Sequence, residues 1–440
     1  MFLYRENEIA LLNEDFNKAN SSLSFIFGRR GIGKTSLINE YIKDKKALYL
    51  YSFETMPFLL LDKFKELIDS FFDCKNSEKI DSIENLIIYL SKKRIESKIV
   101  IILENAQELL KIEKDFFINF NKYWLKYLSK LNIQFIISSA LLANNFKNLQ
   151  ISKKISNLIK LESIKFNLIE DYFPNINKEE AMYLYSVFGT NFKYLSLYNP
   201  KKDFFENIKD LFLKYDSLLF NEGINIIKKD LNDLGTYCSI LYAISIGNSK
   251  IGEIARFLNL KSTYLTRYLQ KLIDLMIIDK NIPINDDFAK SKFGRYKIND
   301  NLLRFWFYYI YPNINNINFN NTDKIFKFIK EDFDRNFVDS NYKEYATEVL
   351  TNNAYDFFNY EPIKTGSWWN NKEIKIDFVA YDSKTITFVD CKWQKNSIIE
   401  NYYKELKDKA KNFETQLEKK YIIFTGKWNL SLLFFLFKQL

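Results

Sequence analysis

The sequence predicts an α/β protein: a buried parallel sheet with its helices in the N-terminal part, a mostly helical middle, and a smaller mixed unit at the C-terminal end. Three observations predict it. Continuous apolar runs near 23–27, 47–52, 99–103 and 133–138 alternate with helical patterns, as strands buried on both faces of a parallel sheet require. The first run leads straight into a glycine-rich loop and then a helix. After about residue 165 the strand signal fades, and strands and helices mix again over about 340–440.

The elements follow in order. Residues 1–17 read as an amphipathic helix with Ile9, Leu12 and Phe16 on its apolar side. Strand 23–27, loop 28–33 and helix 34–42 come next, then strand 47–52 and helices over 57–73 and 81–96. Strand 99–103, helix 114–130 and strand 133–138 complete the first unit. Residues 178–232 read as helical. The segment 311–322, YPNINNINFNNT, is polar and holds Pro312, so it is expected to be a linker.

A chain of 440 residues exceeds what one core supports, so two to four domains are expected. Histidine is absent, which excludes Ser-His-Asp and Cys-His catalysis and every histidine-bearing zinc site. The three cysteines, Cys74, Cys238 and Cys391, are odd in number and far apart, so a reducing cytoplasm is expected rather than a disulfide framework. The N-terminus has no basic stretch leading into an apolar run, and no apolar run reaches membrane-spanning length; the tail 430–437 is too short. A net charge of +9 suits a nucleic-acid partner, but a lysine-rich chain can also simply be soluble.

Only 11 glycines occur, yet Gly28, Gly31 and Gly33 fall within six residues. Gly28-x4-Gly33-Lys34-Thr35 matches the Walker A pattern between a strand and a helix. Backbone N–H groups of such a loop curl around phosphate oxygens, and the helix N-terminus adds positive potential. Gly28, Arg29, Arg30, Gly31, Ile32, Gly33, Lys34, Thr35 and Ser36 are therefore the expected ATP-binding residues, with Lys34 on the terminal phosphates and the Thr35 hydroxyl on Mg²⁺. The partner acid is expected at the end of the strand in VIILENAQ, 100–107. Glu104 fills the first acidic slot and can assist the metal, but Asn105 fills the second and cannot act as a general base. Hydrolysis is left open, because Glu108 or another subunit could compensate. Ser138 and Ser139 end the next strand, where either a γ-phosphate sensor or ordinary turn residues would sit.

Residues 250–280 read as helix, turn, helix and strand, and 277–298 as two wing strands with their loop, which is a winged-helix pattern. Lys261, Arg267 and Lys271 lie off its apolar face, and Lys290, Lys292 and Arg295 tip the wing. Such a module binds DNA or braces neighbouring domains. Further on, 374–381 and 385–391 read as a β-hairpin turning at 382–384. Asp377, then Asp390-Cys391-Lys392, gives two carboxylates for Mg²⁺ and a lysine on the same side of the strand to orient or deprotonate water. Glu348, on the preceding helix, is expected to complete the metal ligands, and a lysine-rich helix follows over 399–416. A surface salt-bridge cluster, or a related fold that only binds, is the alternative.

The full order of motifs resembles the archaeal-type P-loop ATPases, AAA- and STAND-like, that carry a C-terminal domain related to restriction-endonuclease folds. The resemblance rests on FGRRGIGKTSLI (27–38), ENAQEL (104–109), GRYKINDNLLRFWFYYIYPN (294–313), and GSWWNNKEIKIDFVAYD with FVDCKW (366–382 and 388–393). It implies a switch-like ATPase with a PD-(D/E)xK-type terminal domain, in which Lys34 and Thr35 bind nucleotide and Glu348, Asp377, Asp390 and Lys392 are nuclease positions. The family shows Asp-Glu where this chain has Glu104-Asn105, and Glu-Cys-Lys where it has Asp390-Cys391-Lys392. The expected layout is a P-loop core over 1–175, a helical lid over 176–233, a winged helix over 234–311, a linker and connecting helix over 312–339, and a nuclease-like domain over 340–440. DNA, ATP and Mg²⁺ are the expected partners, with self-assembly possible and no membrane. Glu104 and Lys392 are the expected catalytic side chains.

Overall fold

The computed structural model describes residues 4–74, 77–140, 155–164, 166–228, 230–287, 291–393 and 399–426. The chain divides into two compact units, residues 1–165 with 274–276, and 166–273 with 277–440. No helix among the described residues is long and apolar enough to cross a membrane.

The first unit is built on β1 (Ser22–Phe27), β2 (Ala47–Tyr51), β3 (Ile99–Glu104), β4 (Ile133–Ser139) and β5 (Asn157–Lys160). They lie in the order β2-β3-β4-β1-β5, and every neighbouring pair is parallel. The three inner strands are buried along their whole length, which is why their sequences are continuous apolar runs rather than alternating ones. Helices α1 (Glu6–Asn17), α2 (Lys34–Ile42), α3 (Pro57–Phe71), α4 (Ile83–Ser91) and α5 (Phe116–Tyr123) pack around the sheet. Leu12 from α1 and Leu37, Ile38 and Tyr41 from α2 share a core with Ile26, Val100, Ile102 and Ile136. Each such fully buried aliphatic side chain contributes roughly 1.5–3 kcal/mol. β5 was not foreseen from the sequence. It is an edge strand only partly buried, so it lacks the apolar run that marked the others.

In the second unit, helices lead to α6 (Leu234–Ser245), α7 (Ile251–Phe257) and α8 (Ser262–Asp274). An antiparallel pair follows, β6 (Ile278–Asn281) and β7 (Arg295–Ile298). The segment 311–322, expected to be a linker, is partly helical. It is helical over Ile314–Asn318, and Ile317 is fully buried. Next come α9 (Asp339–Asn352), β8 (Lys364–Trp369), β9 (Lys375–Tyr381), β10 (Thr385–Lys392), α10 (Ile399–Ala410) and β11 (Glu418–Thr425). The sheet order is β11-β10-β9-β8, antiparallel from β8 to β10 and parallel between β10 and β11. The β9–β10 hairpin turns at 382–384, as the sequence predicts, because the Asp382 carboxylate accepts the N–H groups of Lys384 (2.8 Å) and Thr385 (2.6 Å).

The β6–β7 hairpin is bound to this sheet. The Ile284 N–H donates to the Ser367 carbonyl (2.9 Å), and the Trp369 indole N–H donates to the Phe293 carbonyl (2.9 Å). Glu373, in the β8–β9 turn, pairs with Arg295 (2.6 Å) and with Lys250. Glu344 on α9 pairs with Lys297 (3.0 Å) and Arg304 (2.8 Å). Of the basic residues expected to tip the wing, Arg295 is thus directed onto Glu373 and the Trp369 ring, and Lys290 lies outside the described residues.

The helical part packs tightly at Gly223, where an added Cβ would lie 2.2 Å from the Trp306 ring. Trp306 is fully buried and its indole N–H donates to the Phe220 carbonyl (2.6 Å). Gly223→Ala therefore overpacks this core, with an expected loss of about 1–3 kcal/mol, read as a lower denaturation midpoint in urea with an unchanged slope.

Candidate functional site

β1 ends at Phe27, in register with Ser139 of β4, and the Gly28 N–H donates to the Ser139 carbonyl (3.3 Å). The loop 28–33 leaves the sheet here. Gly31 and Gly33 adopt φ of 77° and 99°, a region that residues with a Cβ seldom enter, and α2 starts directly after Gly33. A Cβ on Gly28 would lie 2.9 Å from the Leu161 carbonyl oxygen, so the loop passes against the end of the sheet without room to spare. Arg5, buried ahead of α1, donates to the carbonyls of Ile32 (3.4 Å) and Glu162 (2.7 Å) and braces the loop from outside. Nothing in the sequence signalled that role.

The Lys34 ammonium curls back over the loop and donates to the carbonyls of Gly28 (2.5 Å) and Arg29 (2.9 Å). The Thr35 hydroxyl donates to Glu104 Oε1 (2.5 Å), and the Tyr49 hydroxyl donates to Glu104 Oε2. Glu104 is almost completely buried. Burial raises its pKa above the ordinary carboxylate value, opposed by the Thr35 hydrogen bond and the Lys34 charge. The sequence-predicted Lys34, Thr35 and Glu104 are therefore brought together, while Tyr49 was missed: one tyrosine in an apolar strand carries no signal of its own. Ser36 follows Thr35 in the first turn of α2.

Asn105 sits in the left-handed region, φ 60°, and its amide joins neighbouring strand ends. It donates to the Ser52 carbonyl (2.8 Å) and accepts from the Gln107 amide. Gln107 in turn accepts from the Ser139 hydroxyl (3.2 Å) and the Ala140 N–H (3.1 Å). Ser139 thus belongs to this amide chain. The Ser138 hydroxyl is buried with no hydrogen-bond partner among the described residues. Glu108, the other acid at this sheet end, pairs with Arg30 of the loop (3.3 Å) and with Lys111 (3.0 Å).

The second cluster lies in the C-terminal sheet. Asp377 and Asp390 are neighbours on β9 and β10, both buried. The Asp377 N–H donates to Asp390 Oδ1 (3.4 Å), and the Cys391 N–H donates to Asp377 Oδ2 (3.1 Å). Lysines reach both. Lys409 of α10 pairs with Asp390 (2.5 Å), and Lys343 of α9 and Lys375 each lie 3.7 Å from Asp377. Burial works to lower the pKa of Lys343, but Asp377, Asp339 and Asp390 outweigh it and the net shift is upward. The end of β10 is pinned by Trp393, whose N–H donates to Asp339 (3.0 Å) and whose indole donates to Asp334 (2.7 Å).

Glu348 and Lys392 were also expected at this cluster. Glu348 lies on α9 five residues beyond Lys343, about 140° further round the helix. Its charge acts on Tyr185 and Tyr345, helping burial push Tyr345 up to about 12. The Lys392 ammonium lies over the Tyr402 ring, 5.3 Å from its centre. Among the described residues no three Asp, Glu or Cys side chains gather as a metal-holding group. Lys343 and Lys409 were missed because only the packing of two helices onto the sheet brings them to the aspartates.

A solved structure with a similar fold is the Walker-type ATPase PABY2304 of Pyrococcus abyssi, 15% identical, with a TM-score of 0.51 over 70% of this chain and 96% of that one. The chain has a P-loop NTPase fold. Residues 306–410 match a family described as archaeal and bacterial proteins of unknown function. An uncharacterized protein of Methanocaldococcus jannaschii is 27% identical over 97% of this chain and 96% of that protein. A short uncharacterized ATP-binding protein of the same organism is 37% identical over 46 residues, 10% of this chain and 78% of that protein.

The raised pKa of Glu104 has a consequence for stability. A carboxyl raised in the folded state binds its proton more tightly there than in the unfolded chain, so stability falls as pH rises through the interval above the ordinary carboxylate value. Glu104→Gln removes this cost. Its expected effect is a higher melting temperature near neutral pH, by roughly 2–4 °C for each kcal/mol recovered, with no gain near pH 4; differential scanning calorimetry at the two pH values checks it.

Proposed function

We propose that residues 28–36 bind ATP with Mg²⁺, and that the bound nucleotide sets the state of a DNA-directed protein with a nuclease-like C-terminal domain over 340–440. The observation that carries the nucleotide reading is the trio of Lys34, Thr35 and Glu104 around one glycine-turned loop. A hydroxyl and a carboxylate in direct contact are hard oxygen donors and fit Mg²⁺. When bound, the ion would neutralise phosphate charge. Lys34 is long enough to leave the loop carbonyls for phosphate oxygens, and the N–H groups at the start of α2 face the same charge. Arg29, Arg30 and Ile32 contribute loop backbone. The Pyrococcus structure is described as a Walker-type ATPase and the short relative as ATP-binding, which supports this reading.

Within it, residues 176–233 serve as the lid and 234–311 as a winged helix, the order of α6, α7, α8, β6 and β7 being the support. DNA is the proposed partner on the strength of the +9 charge and of Lys261, Arg267 and Lys271 around α8. The order from α9 to β11, helices, three strands, a helix and a strand, with Asp377 beside Asp390, supports the nuclease-like assignment. Among the described residues two carboxylates converge there, and both are ion-paired with lysine. The residues fit a divalent ion only after an ammonium is displaced, and no catalytic step is assigned to Lys392 or Glu348 through it.

Asn105 favours a second reading, in which the site holds its nucleotide and switches rather than turning over. Its amide is spent on Ser52 and Gln107 and cannot take a proton from water. Tight ATP binding with negligible phosphate release supports this reading, and steady turnover lost in Lys34→Ala counts against it. Asn105→Asp keeps a residue that tolerates the left-handed backbone and restores an acid. Phosphate release is expected to rise by about 10²-fold, the low end of a general base's contribution; a variant no faster than wild type removes Asn105 as the limiting feature.

At the C-terminal pair, Lys409→Met removes the cation beside Asp390. Titration calorimetry with Mn²⁺ is expected to show tighter binding than wild type, by roughly tenfold for about 1.4 kcal/mol of relieved competition. Asp390→Asn is expected to abolish it. Binding unchanged in Asp390→Asn would show that the aspartate pair is not a metal site.

A further inference from the structure

One face of α8 carries a stripe that the reading above uses only as positive charge. Tyr264, Arg267, Tyr268 and Lys271 fall at i, i+3, i+4 and i+7, and Lys261 stands one turn before them. The Arg267 guanidinium lies against both tyrosine rings, 4.9 Å from the centre of Tyr264 and 4.8 Å from that of Tyr268. It also donates to the Tyr268 hydroxyl (3.0 Å). Tyr268 is buried, and its hydroxyl donates to Asp233 (2.8 Å) and contacts the Tyr264 hydroxyl (2.7 Å). The stack is therefore fixed from below. Its top is open: Tyr264 is 39% exposed, and Lys261 and Arg267 are exposed beside it. Asp233 is the carboxylate that meets the cluster, and it is already taken by Tyr268 and by capping α6.

A duplex-reading winged helix uses its recognition helix together with its wing. Here the wing strand is turned to the C-terminal sheet, with Arg295 on Glu373 and Trp369. What remains on α8 is a rigid aromatic ring between cations. Duplex bases are stacked on each other and offer no free face to such a ring, whereas bases of a single strand do. Cations on either side of the ring suit the phosphates that flank each base.

We propose that the stripe formed by Lys261, Tyr264, Arg267 and Lys271 takes single-stranded nucleic acid, with a base stacked on Tyr264. The proposal rests on the DNA-directed reading and names its substrate class. The test uses the full chain and fluorescence anisotropy with labelled oligo-dT, oligo-U and a blunt DNA duplex of the same length. Oligo-dT is expected to bind more tightly than the duplex. Tyr264→Ala is expected to weaken oligo-dT binding roughly tenfold, with Tyr264→Phe close to wild type and duplex binding unmoved. Because Tyr264 is partly exposed, its loss is separated from misfolding by Lys261→Ala, which should weaken binding and flatten its salt dependence. Oligo-U bound as well as oligo-dT identifies any single strand as the ligand, and weaker oligo-U binding identifies DNA; both support stacking. Duplex bound more tightly, with Tyr264→Ala silent, overturns the proposal and leaves the DNA reading standing. Binding to none of the three overturns both.

Discussion

The direct contact between Thr35 and Glu104 sets the terms for the whole N-terminal unit. One residue comes from the first turn of a helix, the other from the end of a strand two places away in the sheet. They can meet only if β1, β4 and β3 finish at nearly the same level. The parallel register arranges this, aligning Phe27 with Ser139 and Leu103 with Ile137. The crossover helices make such pairing possible, and their apolar faces bury the sheet that holds the register. The cost is a carboxylate in a nearly dry position. Thr35 and Tyr49 hydroxyls offset part of it, as buried charge requires. The end of the sheet is thus less stable than it could be, at the place where a charged ligand is expected.

Much of this was legible in the residues. Inner parallel strands write themselves as uninterrupted apolar runs, and a glycine loop between such a run and a helix has few other uses. Helix 34–42 was bounded correctly because Gly33 supplies a clear start. Three of the edge strands were harder. β5 alternates weakly, β8 mixes Lys, Gly and aromatics, and β11 opens on three charged residues, so neither length nor period separates them from loops. The 311–322 segment misled in the opposite direction, because its asparagines read as linker while Ile317 anchors a helical turn in the core.

The C-terminal cluster shows where one-dimensional reading stops. The spacing from Asp377 to Asp390 follows from the hairpin turn, so sequence places the two side by side. Which groups face them depends on how α9 and α10 dock. On α9, Asp339 and Lys343 are one turn apart and share the face towards β9 and β10, while Glu348 falls on another side. A choice among four charged residues on one helix needs the rotation of that helix, which only its packing partners set.

Glu344 carries an implication for dividing the chain. Its two cations, Lys297 and Arg304, come from before residue 311, and Arg304 also holds the Ile298 carbonyl and the Asn341 side chain. A fragment cut at 340 would keep the acid and lose both counter-charges. It would also strip Ile284 from the core it shares with Trp368, Ile376 and Phe388. The sequence boundary between helical middle and C-terminal sheet is therefore no seam. Proteolysis, domain exchange or expression of the terminal part alone should respect a unit that begins well upstream, with the hairpin and the sheet inherited together.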